Sequence, residues 1–414
     1  MQEGLRRNMR PSEVGQPRRH RPDYWLIILM TLLLSIGMVV VYAISPALAV
    51  ANGTSDNYYV VHQLIAVVLC ASMFGITATV PLSQWRRAYL TLLVVAGIAT
   101  LIALLLPVNP HYPAHRWIRF GGFSFQSVEL LKFALLIWFA GFLAIRMRDG
   151  TIADFQKTLK PMIFVLGGIG VVVTMVQSDL GSSGVILLMM AAMAFVAGFP
   201  MKRILLVGAA ILILLTASVA AVPYRRERLM TFLDPSANCL TTGYQVCQAL
   251  IAVGSGGATG LGLGRSVQAY GYLPEAENDS IFAIYAEKFG FLGVTALFTL
   301  FLVFFMRIKR IAERAPDNFS RLVVVGILVW LCAQAVINMG AMMGLLPLKG
   351  ITLPFISYGG SSVLLVMAAL GLIFQISHYT SLSAPEGSTG GTYENRRDGR
   401  RLRGAYHPNS GSRT

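Results

Sequence analysis

Apolar residues occupy this chain in blocks of about 17 to 25, separated by polar connectors, and that length is what a helix needs to cross the hydrocarbon core of a bilayer. Ten blocks have it: 23 to 45, 58 to 80, 88 to 107, 128 to 145, 161 to 177, 184 to 199, 203 to 222, 281 to 306, 321 to 341 and 362 to 377. The pattern predicts an all-α polytopic membrane protein of about ten transmembrane helices. It divides the 414 residues into a tail at 1 to 22, a transmembrane domain at 23 to 378 with a long outer loop at 223 to 280 between the seventh and eighth helices, and a tail at 379 to 414. Both tails are rich in Arg, Gly, Ser and Pro and are expected to be disordered. The first apolar block follows a polar arm and is too long for a cleaved signal peptide, so it reads as a retained anchor.

Composition agrees: with 55% hydrophobic and only 13% charged residues, the chain has too little charge for a water-facing surface. The formal net charge of +15 raises nucleic acid as a partner, but position argues otherwise. Arg and Lys collect on alternate connectors, at 6 to 21, 86 to 87, 146 to 160, 202 to 203, 307 to 314 and 396 to 403. By the positive-inside rule that side is cytoplasmic, both termini lie there, and an even number of spans follows. The expected contacts of the tails are anionic lipid or a cytoplasmic partner, with no nucleic acid.

Polar residues that topology leaves unexplained gather on the opposite, outer side. Glu129 and Lys132 lie three apart at the start of the fourth span and share a helix face. A charge at bilayer depth costs about 2.5 to 3.5 kcal/mol, so the two form either a structural ion pair or part of a site. Asp179, in the tight break Gln177-Ser-Asp-Leu-Gly-Ser-Ser183, either lines a re-entrant turn or caps the next helix. Cys239 and Cys247 share the long outer loop, as a disulfide or as two free thiols. The segment Gly254-Ser-Gly-Gly-Ala-Thr-Gly-Leu-Gly-Leu-Gly-Arg-Ser266 reads either as a weak phosphate cradle or as a flexible turn dipping back toward the membrane. Lys349, alone among apolar neighbours in the last outer connector, wants an anion, either a substrate phosphate or a structural carboxylate.

Four acids stand near the mouth of the eighth span: Glu275, Glu277, Asp279 and Glu287. Asp279 sits in the stretch Asn278-Asp-Ser280 that directly precedes the apolar run and is the expected N-cap. A helix N-terminus also favours its ionised form, which makes it the candidate general base. Glu287 and Lys288 lie two turns deeper, point to different faces and are expected to pair with other helices.

These residues form an ordered set of motifs that resembles the SEDS family, the FtsW, RodA and SpoVE group of polytopic bacterial proteins, across nearly the whole span region. Gln126-Ser-Val-Glu-Leu-Leu-Lys132 is similar to the family's Q-P-S-E-x-x-K, and Gln177-Ser-Asp-Leu-Gly181 to Q-P-D-L-G. Leu273-Pro-Glu-Ala-Glu-Asn-Asp279 is similar to L-P-E-x-x-T-D, and the stretch Lys349-Gly-Ile-Thr-Leu-Pro-Phe-Ile-Ser-Tyr-Gly-Gly-Ser-Ser362 completes the set. The spacing from Gly262 to Gln268 looks more like the division branch than the elongation branch. Ser127, Ser178, Val128, Asn278 and Lys288 depart from the family residues, and none of them replaces a proposed catalytic group.

The resemblance implies a peptidoglycan glycosyltransferase that polymerises lipid II outside the membrane. It implies Asp279 as the catalytic acid of L-P-E-x-x-T-D and Arg116, Glu129 and Lys132 as substrate-binding residues, to which the residue-level reading adds Lys349. It further implies a class B penicillin-binding protein and other divisome proteins as partners, leaves room for a divalent cation, Mg or Mn, and implies no organic cofactor. A lipid II flippase using Glu129, Lys132 and Glu287 as a polar path, or a division scaffold contacted through the basic tails, are the competing expectations.

Overall fold

The computed structural model describes residues 18–19, 21–106, 117–120, 123–177, 179–221, 223–235 and 239–380. Its apolar stretches close into helices, because a backbone in hydrocarbon must satisfy its own hydrogen bonds. In chain order these are α1 (Tyr24–Asn52), α2 (Tyr58–Thr79), α3 (Leu82–Leu105), α4 (Ser127–Arg148), α5 (Lys160–Val171), α6 (Leu180–Val196) and α7 (Met201–Ala221). Then follow α8 (Pro223–Leu233), α9 (Tyr244–Ser255), α10 (Ile281–Glu313), α11 (Asn318–Met342) and α12 (Gly360–Ile376).

Among the described residues seven helices are long and apolar enough to span a membrane: α1 to α4, the segment Phe155–Thr174 that carries α5, α10 and α11. α6 and α12 are shorter apolar helices, and α7, of 21 residues, stands where the sequence predicts the seventh span. π-helical turns at Phe155–Leu159 and Val172–Val176 flank α5. Side chains such as Val94, Ile98 and Leu101 on α3 are half exposed or more, as expected of a surface whose solvent is lipid.

α11 is the centre of the packing, in contact with α4, α6 and α10, while α12 lies along α2. Trp330 of α11 and Phe139 of α4 are fully buried. Asp23 joins the first and eighth expected spans: one carboxylate oxygen caps α1 by accepting the Trp25 N–H at 3.1 Å, and the other accepts from Arg307 Nε of α10 at 2.5 Å.

Three details differ from the sequence reading. The chain is not purely α-helical, because β2 (Trp117–Phe120) and β3 (Phe123–Gln126) form an antiparallel ladder in the connector before α4. A second ladder pairs β1 (Arg18–Arg19) with β4 (Tyr379–Thr380), inside stretches expected to be disordered; each supplies the hydrogen-bond partner the other lacks. The long outer loop also carries α8 and α9, too short to span and so missed by a search for bilayer-length blocks.

Candidate functional site

Asp279 lies one residue outside the N-cap of α10, which is Ser280 and not Asp279 as the sequence suggests. The reason is the tight turn before it, in which the N–H groups of Asn278 and Ser280 both donate to the Glu275 carbonyl, at 3.0 and 3.1 Å. Ser280 then accepts from Gln245 Nε2 of α9 at 3.1 Å. Asp279 is half-buried and remains within reach of the positive end of the α10 dipole.

Two direct bonds and a bridge through Asn338 stitch this turn to the last outer connector, residues 343 to 359. Tyr358 N–H donates to the Glu277 carbonyl at 2.8 Å, and Ser357 Oγ donates to the Asn278 carbonyl at 2.6 Å while accepting from Leu353 N–H at 2.7 Å. Asn338 of α11, 1% exposed, donates through Nδ2 to the Asp279 carbonyl and to the Ile351 carbonyl, each at 2.7 Å. Consecutive carbonyls on the Asp279 turn are thus fixed from one side, and the connector that they hold is the one that carries Lys349.

Both stitched segments contain a non-glycine residue in the left-handed region, Glu275 at φ 53° and Phe355 at φ 69°. Such conformations cost about 1 to 3 kcal/mol each and persist only where surrounding contacts over-determine them. Phe355 is fully buried and meets Phe304 of α10 edge to face at 5.3 Å. Glu275 is held by Asn278, whose Nδ2 donates to its carboxylate at 2.6 Å.

Burial pushes the Glu277 carboxyl above the usual carboxylate range, and the nearby charge of Glu275 adds to the shift. Tyr358 is pushed up to about 12, first by burial and then by Tyr58, Tyr59 and Glu277. Lys349 is half-buried in the same connector, with Gly181 at the start of α6 packed against its Cβ. Asp179 caps α6, accepting from Ser182 N–H and Ser182 Oγ, both at 2.9 Å.

Glu129 and Lys132 are buried and bonded to each other at 2.6 Å, with side chains 4% and 1% exposed. The ammonium also lies 5.4 Å from the centre of the Trp330 ring, a cation–π contact. The start of α4 nevertheless reaches the same side of the bundle as the stitched turn: Gln126 N–H donates to Ser361 Oγ at 3.4 Å, and Ser362 pairs with Thr352 of the last connector at 3.1 Å. Arg116 lies outside the described residues.

Glu287 and Lys288 do not pair with other helices, as the sequence suggests, but with the glycine-rich loop. The Glu287 carboxylate accepts from Ser266 Oγ at 2.5 Å, Val267 N–H at 2.9 Å and Gln268 N–H at 3.3 Å, and Lys288 Nζ donates to the Leu263 carbonyl at 2.6 Å. α10 breaks at Gly290, whose φ of 62° and ψ of −165° are not helical. The loop fills the break: Leu261 and Gly262 N–H groups donate to the carbonyls of Glu287 and Lys288, while Phe291 and Leu292 N–H groups donate to Gly257 and Ala258. A Cβ on Gly260 would overlap the Lys288 carbonyl. The glycines therefore permit backbone against backbone, which is the dipping turn of the two alternatives that the sequence leaves open. Cys239 and Cys247 are joined by a disulfide with Cα atoms 5.6 Å apart.

The sequence reading missed Asn338 and Ser357, and the available signal for Asn338 was an amide inside an apolar run. Among the described residues no three His, Cys, Asp or Glu side chains converge to hold a metal ion.

Comparison with known proteins places this geometry in context. A profile of cell cycle proteins, the FtsW, RodA and SpoVE family, matches residues 24–382. The chain is 40% identical over 366 residues to a protein of Saccharophagus degradans named probable peptidoglycan glycosyltransferase FtsW, covering 86% of this chain and 92% of that one. It is 36% identical over 365 residues to the stage V sporulation protein E of Bacillus subtilis, covering 88% and 99%. A solved structure described as the structural coordination of polymerization and crosslinking by a peptidoglycan synthase complex is similar at a TM-score of 0.70 and 25% identity, over 86% of this chain and 97% of that chain. The rod shape determining protein RodA of Thermus thermophilus shares the fold at a TM-score of 0.64 and 23% identity, over 86% and 96%.

Proposed function

The chain belongs to the FtsW, RodA and SpoVE family of cell cycle proteins, and on that premise we propose that it is a multi-pass membrane peptidoglycan glycosyltransferase that polymerises lipid II. Ten spans, formed by the seven long apolar helices with α6, α7 and α12, put both termini in the cytoplasm and the Asp279 turn on the outer face of the cytoplasmic membrane. Asp279 is the general base: it takes the proton of the acceptor sugar hydroxyl as that oxygen attacks the anomeric carbon of the donor. The bond from that carbon to the diphosphate breaks, the diphosphate departs with the electron pair toward Lys349 and Arg116, and the single displacement inverts the anomeric centre.

One observation carries this reading: the Asp279 turn is fixed by Asn338, Ser357 and Tyr358 to the connector that bears Lys349. A base and a leaving-group cation on two stitched segments are preorganised, and a misplacement of 1 Å can cost about a hundredfold in rate. Glu129 and Lys132 are neutralised by each other, and we assign them a supporting role at the start of α4. The partner is a class B penicillin-binding protein that crosslinks the strands, in a division complex.

The flippase alternative needs intramembrane charges that can engage cargo, yet Glu129 is paired with Lys132 and Glu287 is held by three donors. Vesicles containing the protein, its transpeptidase partner and fluorescent lipid II decide between the two. Glycan polymer is the expected product; lipid scrambling with no polymer would sink the transferase reading.

A further inference from the structure

A second polar site lies at the opposite end of the bundle, where the chain enters α1 and leaves α10 and α12. A cavity of about 290 Å³ opens there, lined by Arg21, Asp23, Arg307, Arg310, Arg314 and Ser377 among others. Four guanidinium groups face one carboxylate, and that carboxylate is committed to the Trp25 amide and Arg307. Among the described residues no carboxylate forms an ion pair with Arg310 or Arg314, and the one acid beside them, Glu313, reaches Lys309 at 3.7 Å.

The basin is built rather than incidental. Ser377 Oγ accepts the Asp23 N–H at 3.1 Å, tying the C-terminal end of α12 to the N-terminus of α1, and the β1–β4 ladder closes the same corner. Tyr24 and Trp25, 57% and 59% exposed at the start of α1, mark the level of a membrane interface. A concave site at headgroup depth that holds Arg310 and Arg314, neither in an ion pair with a described carboxylate, suits a phosphate, which a guanidinium holds through two parallel hydrogen bonds.

We propose that this basin is a binding site for the phosphate of an anionic phospholipid, with Arg310 and Arg314 as the principal ligands and Arg307 fixed beside them by Asp23. Such a site would couple the join between α1, α10 and α12 to the lipid composition of the leaflet opposite the Asp279 turn. Basic pockets between helix ends recognise lipid headgroups in this way. The same residues also satisfy the positive-inside rule, which needs charge on that side but no cavity and no selectivity for one headgroup.

The test uses the full chain in a neutral detergent, titrated with short-chain phosphatidylglycerol or phosphatidylcholine and read by native mass spectrometry. Selective retention of phosphatidylglycerol is expected, weakened at least about tenfold in the Arg310→Gln/Arg314→Gln double variant and weakened further by salt. Equal retention by wild type and variant would overturn the proposal, and displacement of the lipid by millimolar inorganic phosphate would overturn its assignment to a lipid. Should the double variant fail to fold, a photoactivatable phosphatidylglycerol on wild type takes its place. Labelling of the segment 303–318 is the expected result, and labelling only elsewhere would refute the site.

Discussion

Replacing Asn338 by Leu removes a side chain of similar size whose one amide nitrogen holds both the Asp279 and the Ile351 carbonyls, each at 2.7 Å. Two average hydrogen bonds within a membrane protein are worth about 1.2 kcal/mol together. Two buried carbonyls left wholly unpaired would cost about 2 to 6 kcal/mol. Asn338 is buried at 1% exposure, so little water can take its place, and a destabilisation of about 2 kcal/mol is expected. The functional effect should exceed what that loss of folded protein explains, because the bond to the Asp279 carbonyl sets the position of the proposed base. A fall in kcat of about ten- to a hundredfold, with a much smaller change in KM for lipid II, is the expected outcome. The assay is glycan synthesis by purified protein, normalised to the folded fraction, beside thermal unfolding in detergent. Asn338→Asp should be worse than Leu, since it presents an acceptor to two acceptors. Wild-type kcat and wild-type thermal stability in Asn338→Leu would refute the clamp.

Gly260→Ala places a Cβ in the left-handed region at φ 83° and against the Lys288 carbonyl. About 1 to 2 kcal/mol of backbone strain, plus about 1 kcal/mol for each loop bond broken, should appear as a lower unfolding temperature and faster amide exchange at 261–268. Lys132→Met leaves the Glu129 carboxylate buried without its partner and should cost about 3 to 5 kcal/mol; adding Glu129→Gln should recover most of it in the same unfolding assay. Glu277 has a raised folded pKa, so its contribution to stability is present below the usual carboxylate range and is lost as pH rises through the folded value. Glu277→Gln should therefore flatten the decline of unfolding temperature between acidic and neutral pH.

Seven of the ten expected spans are long apolar helices among the described residues, and they were legible because bilayer thickness imposes a length on every apolar block. α8 and α9 were not, since a short helix in a polar connector carries no such length signal. Asp279 was placed at the right end of the right helix, but as the cap itself when it lies one residue outside it, because the Glu275 turn that displaces it depends on a left-handed residue with no sequence marker. The break at Gly290 was hidden for a similar reason: a glycine within a helical run does not by itself mark a break, and the loop that fills it comes from about thirty residues upstream, a non-local pairing that periodicity cannot report. Glu287 and Lys288 were expected on neighbouring helices because an intramembrane charge needs a partner. That requirement holds, but the partner is irregular backbone dipping into the bundle.

The central claim, that Asp279 is the general base of glycan polymerisation, is tested most directly by Asp279→Asn in purified protein supplied with lipid II and its transpeptidase partner. The account predicts a folded protein with near-wild-type unfolding temperature, unimpaired lipid II binding and no polymer. Polymerisation by the Asn variant at the wild-type rate would contradict it.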